Sequence, residues 1–396
     1  MLTGKTIVLG VTGSIAAYKI ANLASMLVKL NADVHVIMTQ NATHFITPMT
    51  FETLTNNKCI VDTFDRNFNF DVKHVSLAKK GDLFLVAPCT ANVIGKVAGG
   101  ICDDMLTTTI MATKAPVLFS PAMNTGMWEN PFLQDNLQKL KHYGYHIIEP
   151  VEGRLACGDI GSGKMPSEEV LLEHILLHLA KDKDLKGKKI LVTAGPTQEA
   201  IDPVRFISNR SSGKMGYALA KMAVLRGAEV TLVSGPVGIQ PFAGIEKIAV
   251  RSAQEMFEAV TSRSAEHDVI IMCSAVADYK PAVYADQKVK KRDDDMSIPL
   301  TRTQDILGYL GEHKQQGQLL VGFSMETENL IDNSRKKLMK KQADLICANS
   351  ISEAETGFAV DTNKVTLIST KEVKQLPLCS KEETADLILS AIKDYM

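Results

Sequence analysis

Residues 5–11, KTIVLGV, form a continuous apolar run of the length a buried parallel strand takes, and GSIAAYKIANLASMLVKL after it carries its apolar positions at helical spacing. DVHVIMT, DLFLVAP and APVLFSP repeat the short apolar run. Helical patterns separate them, which is the signature of crossover units on a mostly parallel sheet. Helices are predicted near 90–100, 103–113 and 131–143, and 167–180 closes the series. After KDKDLKGKK, a charged segment that water solvates easily, the pattern starts again at KKILVTAGPT. Strands are predicted at 189–193, 229–233, 268–273, 319–323 and 344–347, alternating with helices near 214–226, 252–266, 303–312 and 326–342. VTLIST and the helical KEETADLILSAIKDY follow. The pattern predicts an α/β chain of two Rossmann-like, mostly parallel sheet domains, at 1–183 and 190–396, with 184–189 as the boundary between them.

Composition agrees with two folded domains. A chain of 396 residues exceeds the size at which one core keeps growing, and 45% hydrophobic with 22% charged residues excludes fibrous and disordered classes. Lys and Arg number 44 against 45 Asp and Glu, so no global charge attracts nucleic acid or an anionic membrane, and neither is expected as a partner. No stretch approaches the roughly 20 apolar residues of a spanning helix, and the polar opening lacks the regions of a signal peptide. The seven cysteines form neither a CxxC pair nor a dense framework, so reduced thiols in a cytoplasmic protein are expected.

The chemistry concentrates at strand ends. In GVTGSIAAYK, Gly13 permits a tight turn, and Ser14 with the first amides of the next helix can hold a phosphate. This is not a dinucleotide fingerprint, since GxGxxG is absent and Asp33 stands at the start of the second strand rather than its end, so a mononucleotide is favoured over a nicotinamide cofactor. In VAPCTANVIGKVAGG, Pro88 stops a strand while Thr90 and Asn92 open a helix, as ligands or as ordinary caps. His74 sits just before a possible helix, and composition alone reads it first as a surface histidine. Cys157, among small residues in RLACGDIGSGKM, is either an acid on a segment that closes over a ligand or an inert thiol.

GSIAAYK at 13–19, APCTAN at 87–92, PAMNTGMW at 121–128 and ACGDIGSGKM at 156–165 resemble the flavin-dependent cysteine decarboxylases, phosphopantothenoylcysteine decarboxylase in particular. The resemblance implies an FMN site at the first two motifs and a substrate site at the third, with the cysteine segment covering the pocket. It makes His74 the residue assisting decarboxylation, Asn124 the ligand of the substrate's carboxylate and Cys157 the proton donor that completes the reaction. The chain departs from that family in lacking a tryptophan soon after the histidine and in placing Lys164 where arginine is common.

The second half opens its chemistry with AGPTQEAIDPVRFISNRSSGKMG at 194–216. It lacks the P-loop pattern, yet Arg205, Arg210 and Lys214 with the Ser-Ser-Gly run either receive phosphate groups or solvate a turn. Asp278, in SAVADYKP, either recognises a nucleotide or caps a helix. Lys288, Lys290 and Lys291 lie on a polar stretch at 280–300 that is either a flap over an anion or a solvated loop, and Lys337 and Lys341 share a helical face.

This half resembles phosphopantothenate–cysteine ligase along nearly its whole length, and the order of the halves resembles the bacterial bifunctional coenzyme A biosynthetic family. The resemblance implies Asn209 in conversion of an acyl-nucleotide and Lys288 in its formation. Asp278, Asp305, Ile306, Phe323, Lys337 and Lys341 then surround CTP. It further implies Mg2+, whose ligands no carboxylate cluster identifies, and 4′-phosphopantothenate, cysteine and phosphopantothenoylcysteine as the other ligands. A homo-oligomer is expected, with decarboxylase trimers and ligase dimers compatible with a dodecamer. The alternative of another class is a nonenzymatic flavoprotein-like regulatory subunit, against which His74 and Cys157 both stand.

Overall fold

The computed structural model describes residues 2–64, 72–156, 158–290, 297–326, 328–350 and 360–396, with Ser350 described by its backbone alone. Cys157 and Lys291 therefore lie outside the described residues. The chain divides into two units, Met1–Lys181 and Asp182–Met396, each with its own sheet and core.

The first unit runs β1 (Thr6–Val11), α1 (Ala17–Lys29), β2 (Asp33–Met38), α2 (Pro48–Thr55), α3 (Lys73–Lys80), β3 (Leu83–Cys89), α4 (Ala91–Gly99), α5 (Met105–Ala112) and β4 (Val117–Pro121). It continues through α6 (Thr125–Trp128), α7 (Pro131–His142), β5 (His146–Ile147), β6 (Val151–Arg154), β7 (Ile160–Lys164) and α8 (Glu168–Leu179). The central strands are parallel in the order β2-β1-β3-β4-β5. Every residue of β1, β3 and β4 is buried, because helices cover both faces of a parallel sheet, and this is why those strands read as unbroken apolar runs. Phe84 and Phe119 anchor the core on the side of α4, α5 and α7. The predicted first helix is shorter than its pattern, because Gly13–Ala16 form a turn in which Ser14 N–H bonds Thr12 O at 2.8 Å and α1 starts only at Ala17.

The second unit runs β8 (Lys189–Ala194), β9 (Gln198–Ala200), β10 (Phe206–Ser208), α9 (Lys214–Leu225), β11 (Glu229–Ser234), β12 (Ile245–Ala249), α10 (Ala253–Ser264), β13 (Val269–Met272), β14 (Tyr279–Pro281) and β15 (Leu300–Arg302). Then come α11 (Ile306–Glu312), β16 (Leu319–Glu326), α12 (Leu330–Lys340), β17 (Leu345–Ser350), β18 (Thr362–Asn363), β19 (Val365–Ile368), β20 (Val373–Gln375), β21 (Cys379–Ser380) and α13 (Lys381–Lys393). The main sheet is ordered β12-β11-β8-β13-β16-β17-β19-β20, parallel through β17 and antiparallel beyond it. Helices α9 and α13 pack on each other over one face, while α10, α11 and α12 share the core of the opposite face. The helix predicted from 326 begins at Leu330, because Glu326 still pairs with Ser350 in the sheet and Asn329 turns left-handed (φ 50°) before the helix starts. Among the described residues, no helix is long and apolar enough to cross a membrane.

Candidate active sites

In an open parallel sheet, ligands bind beyond the carboxyl ends of the strands where the strand order reverses, because the two neighbouring connections leave to opposite faces and open a crevice. In the first unit that point lies between β1 and β3. Thr12, fully buried just after β1, spans it: its hydroxyl donates to Pro88 O at 2.7 Å and accepts from Thr90 N–H at 3.0 Å. The Gly13-Ser14 turn and the loop carrying Pro88, Thr90 and Asn92 are thus held side by side. Thr90 caps α4 through Val93 N–H, and Asn92 is exposed on the first turn of that helix. Gly13 has no alternative, since an added Cβ would stand 2.7 Å from Asn41 Cβ.

Two hydroxyls that the sequence reasoning missed belong to the same edge. Thr39 Oγ1, just past β2, and Ser120 Oγ, near the end of β4, are buried without a hydrogen-bond partner. Buried hydroxyls are normally bonded, so orphans at a ligand-binding edge fit a polar ligand that completes them. The only sequence signal was a lone hydroxyl residue closing an apolar run.

A cavity of about 560 Å³ adjoins this edge, lined by Ser14, Lys19, Asn124, Arg154, Lys164 and Met165 among others. Three cations, Lys19, Arg154 and Lys164, suit it to anionic groups. Asn124 caps α6, accepting from Met127 N–H at 2.8 Å, and its side chain is exposed toward the cavity it lines. The antiparallel β6–β7 hairpin forms one wall. Strand β7 is fastened to the Met123–Thr125 segment: Met123 N–H bonds Gly163 O at 3.0 Å and Thr125 Oγ1 donates to Ser162 O at 3.1 Å. Gly163 is required at φ 118°, where a Cβ would also strike Met123 O. Ala156 lines the cavity at the tip of this hairpin, and Cys157, next in sequence, is outside the described residues. His74 is half-buried in the first turn of α3 and is not among the residues lining the cavity.

The second unit repeats the device. Its order reverses between β8 and β13, and fully buried Thr193 accepts from Cys273 and Ser274 N–H, both at 3.1 Å, while donating to Ser274 Oγ at 2.9 Å. On the α11–α12 face the structure brings together Asp278, Asp305, Phe323, Lys337 and Lys341. Lys337 Nζ donates to Phe323 O at 2.8 Å, and Lys341 pairs with Asp305, whose other oxygen caps α11 through Gly308 N–H at 3.0 Å. Ile306 is buried beneath as the first residue of that helix. Burial holds the Lys337 ammonium below its usual range, with Glu326, Asp278 and Asp305 opposing the shift and Lys341 adding to it. Asp278 is exposed, and its carbonyl accepts from Thr303 N–H at 3.0 Å rather than its side chain capping a helix.

Asn209 is exposed after β10, and its Nδ2 donates to Ala275 O at 2.9 Å, which ties it to the loop after β13. Lys288 is exposed on a segment clamped by an ion pair. Arg205 bonds Asp202 Oδ2 at 2.6 Å and Val289 O at 2.7 Å, while Val289 N–H reaches Asp202 Oδ2 at 3.1 Å. The Arg205 bond, opposed by burial, holds the Asp202 carboxyl well below the usual range, so the clamp is ionised at neutral pH. A second pocket, of about 140 Å³, opens beyond β8, β13, β16 and β17 beside the start of α9. Among the described residues no group of three or more His, Cys, Asp or Glu is placed to hold a metal ion.

A family model described as "Flavoprotein" matches residues 1–179, and one described as "DNA/pantothenate metabolism flavoprotein C-terminal domain" matches residues 185–396. The coenzyme A biosynthesis bifunctional protein CoaBC of Bacillus subtilis is 46% identical over 396 residues, spanning 99% of this chain and 97% of its own. The Escherichia coli protein of the same name is 41% identical over 394 residues, spanning 99% and 97% respectively. A crystal structure of the C-terminal domain of a CoaBC protein is 46% identical, covers 54% of this chain and 97% of that one, and superposes with a TM-score of 0.47. The chain is thus a two-unit α/β enzyme with a flavoprotein first half. It belongs to the bifunctional coenzyme A biosynthesis family, which joins a phosphopantothenoylcysteine decarboxylase to a phosphopantothenate–cysteine ligase, and the nonenzymatic alternative is set aside.

Proposed function

We propose that the second unit condenses 4′-phosphopantothenate with cysteine at the expense of CTP, and that the first unit, carrying FMN, decarboxylates the resulting phosphopantothenoylcysteine to 4′-phosphopantetheine. The observation that carries this is the arrangement at the two strand-order reversals, each pinned by a buried threonine, with Asn124 lining the cavity beside the first and Asn209 tied to the loop beside the second.

In the second unit the phosphopantothenate carboxylate attacks the α-phosphorus of CTP, pyrophosphate leaves and an acyl-cytidylate forms. Cysteine's amine then attacks the activated carbonyl, forming the amide and releasing CMP. Lys337 and Lys341 on one side and Lys288 on the clamped segment supply cations for the charge that builds on the phosphate oxygens. Asp278, Asp305, Ile306 and Phe323 border the nucleotide. Asn209, held by Ala275 O, serves the amide-forming step. Mg2+, for which no protein ligands are assigned, would neutralise triphosphate and pyrophosphate charge.

In the first unit Gly13, Ser14, Thr39, Pro88, Thr90, Asn92 and Ser120 are the groups that would hold FMN. Bound there, FMN supplies reversible oxidation at the thiol-bearing carbon, which gives the substrate's carboxylate an electron sink. Asn124 binds and orients that carboxylate. His74 assists its departure as carbon dioxide. Cys157 would donate the proton as the enethiol intermediate takes back the hydride that bound flavin would return, so the overall reaction carries no net redox change. The family pattern of decarboxylase trimers and ligase dimers in a dodecamer is proposed for the assembly, and native mass spectrometry reads it directly.

Product analysis by mass spectrometry tests the assignment. Cys157→Ser should leave amide formation intact and stop completed decarboxylation, whereas Asn209→Asp should impair amide formation. Unchanged product profiles in both variants would overturn the residue roles.

A further inference from the structure

Side chains alternate along a strand, so Ser324 and Glu326 of β16 share one face, and hydrogen bonds stitch that face to α12. Ser324 Oγ and Ser334 Oγ, both buried, lie 2.7 Å apart. Asn333 Nδ2 donates to Glu326 Oε2 at 3.3 Å, and Lys337, one helical turn further on, donates to Phe323 O at 2.8 Å. A carboxylate is therefore built in beside Lys337 and Lys341, the cations proposed for the nucleotide's phosphates. By its charge alone it would repel a triphosphate. Lys337 supplies the reason for it. Its half-buried ammonium bonds a neutral carbonyl, and a cation withdrawn from water is costly without opposite charge nearby. Asp305 is committed to Lys341 and to the cap of α11, and Asp278 is exposed beyond β13. Among the described residues Glu326 is bonded to the neutral Asn333 amide and forms no ion pair of its own. Burial pushes the Lys337 ammonium below the ordinary lysine range; Glu326 is the strongest of the charges opposing this, ahead of Asp278 and Asp305, while Lys341 adds to the depression.

We propose that Glu326 is a positioning residue of the nucleotide site: it is the counter-charge that keeps Lys337 a cation while the site is empty and yields it to the triphosphate when the nucleotide arrives. The assignment rests on the ligase reading above and adds to it a residue that acts through Lys337. Asn333 holds the carboxylate from the side of α12, and the Ser324–Ser334 bond fixes helix against strand between the two charges. Removing the charge of Glu326 then has two effects of opposite sign. Near neutral pH, where Lys337 is charged with or without its partner, the loss of a repelling carboxylate favours CTP. In alkali, the ammonium without its counter-charge loses its proton at a lower pH, and CTP binding fails earlier. A carboxylate that served only to hold the helix in place would weaken binding at every pH alike.

The experiment is calorimetric titration of the full chain with CTP and Mg2+ from about pH 7 to about pH 10, in the wild type, Glu326→Gln, Glu326→Asp, and Lys337→Arg with and without Glu326→Gln. Glutamine keeps the shape and an oxygen for Asn333 while removing the charge. At about pH 7 it should bind CTP as tightly as the wild type or up to about tenfold more tightly, and its affinity should fall away about one pH unit earlier, so that the two curves cross. Aspartate keeps the charge and should leave the curve close to that of the wild type. Arginine stays charged across the series, so on the Lys337→Arg background Glu326→Gln should no longer move the alkaline fall. Competitive labelling with acetic anhydride, read by mass spectrometry, follows the Lys337 amine directly, and its midpoint should drop by about one pH unit in Glu326→Gln. A constant loss of affinity at every pH, an unmoved curve or labelling midpoint, or an equal shift on the arginine background overturns this assignment alone. A wild-type chain that binds no CTP overturns the nucleotide reading and this role with it.

Discussion

Replacing Thr12 by valine removes one hydroxyl from a fully buried site and leaves the shape nearly unchanged. Two backbone groups then lose their partner: Pro88 O, which accepts the Thr12 hydroxyl at 2.7 Å, and Thr90 N–H, which donates to it at 3.0 Å. Thr90 N–H, outside strand and helix, has no other backbone hydrogen bond among those described. A buried polar group left unsatisfied costs about 1–3 kcal/mol, so two together, one of them only half-buried, should cost about 2–4 kcal/mol. For a unit of this size that lowers the midpoint of thermal unfolding by roughly 6–12 °C. Function should fall as well, because the loop carrying Pro88, Thr90 and Asn92 is no longer pinned against the Gly13-Ser14 turn, and flavin retention should weaken at least tenfold. The assay is thermal unfolding with hydrogen exchange of peptides from the first unit, alongside equilibrium dialysis of FMN. Thr12→Ser, which keeps the hydroxyl, should recover most of both losses. A valine variant that melts within about 1 °C of the wild type and holds flavin equally well would refute the role of this hydroxyl.

Two further predictions follow from the second unit. Asp184 pairs with Arg226 at 2.7 Å and with Lys393 at 3.0 Å, and the Arg226 bond holds its carboxyl well below the usual range. Because the folded value is depressed, the pair's contribution is complete above the ordinary carboxylate range, shrinks as pH falls below that range and is gone only once pH has passed through the depressed folded value; Asp184→Asn should therefore cost about 1–2 kcal/mol at pH 7 after solvent screening and progressively less in acid below the ordinary carboxylate range, read by urea unfolding across that pH series. Lys337→Met keeps the length of the side chain and removes its charge and its bond to Phe323 O, so KM for CTP should rise about 10–100-fold while 4′-phosphopantothenate KM moves little; equal changes in both would remove Lys337 from the nucleotide site.

Much of the fold was legible because buried parallel strands need apolar residues on both faces, and DLFLVAP or KILVTA permits little else. Strand order was not, since nothing local in DVHVIMT says that it lies beside β1 rather than beyond β3. The β9–β10 hairpin escaped notice because its short strands, QEA and FIS, mix polar and apolar residues and find their hydrogen bonds in each other. At Glu326 the local pattern was helical, and long-range pairing with β17 overrode it. The residues proposed for the nucleotide were named through motif resemblance, and the structure adds the contacts among Lys337, Phe323, Lys341 and Asp305. Thr39 and Ser120 were missed for one reason. A single polar atom without a partner is a property of three-dimensional surroundings, and the residue type alone does not carry it.

The segment between the two units has a practical bearing on dissecting them. Leu185 is buried, its N–H bonds Arg226 O at 2.9 Å, and Asp184 is locked to the Arg226 guanidinium two bonds deep. The visible start of the second sheet at Lys189 is therefore a poor place to cut the gene. A separately expressed ligase half beginning there would expose the Arg226 charge and an apolar hollow to water. One beginning at Asp182 would carry its own N-terminal anchor.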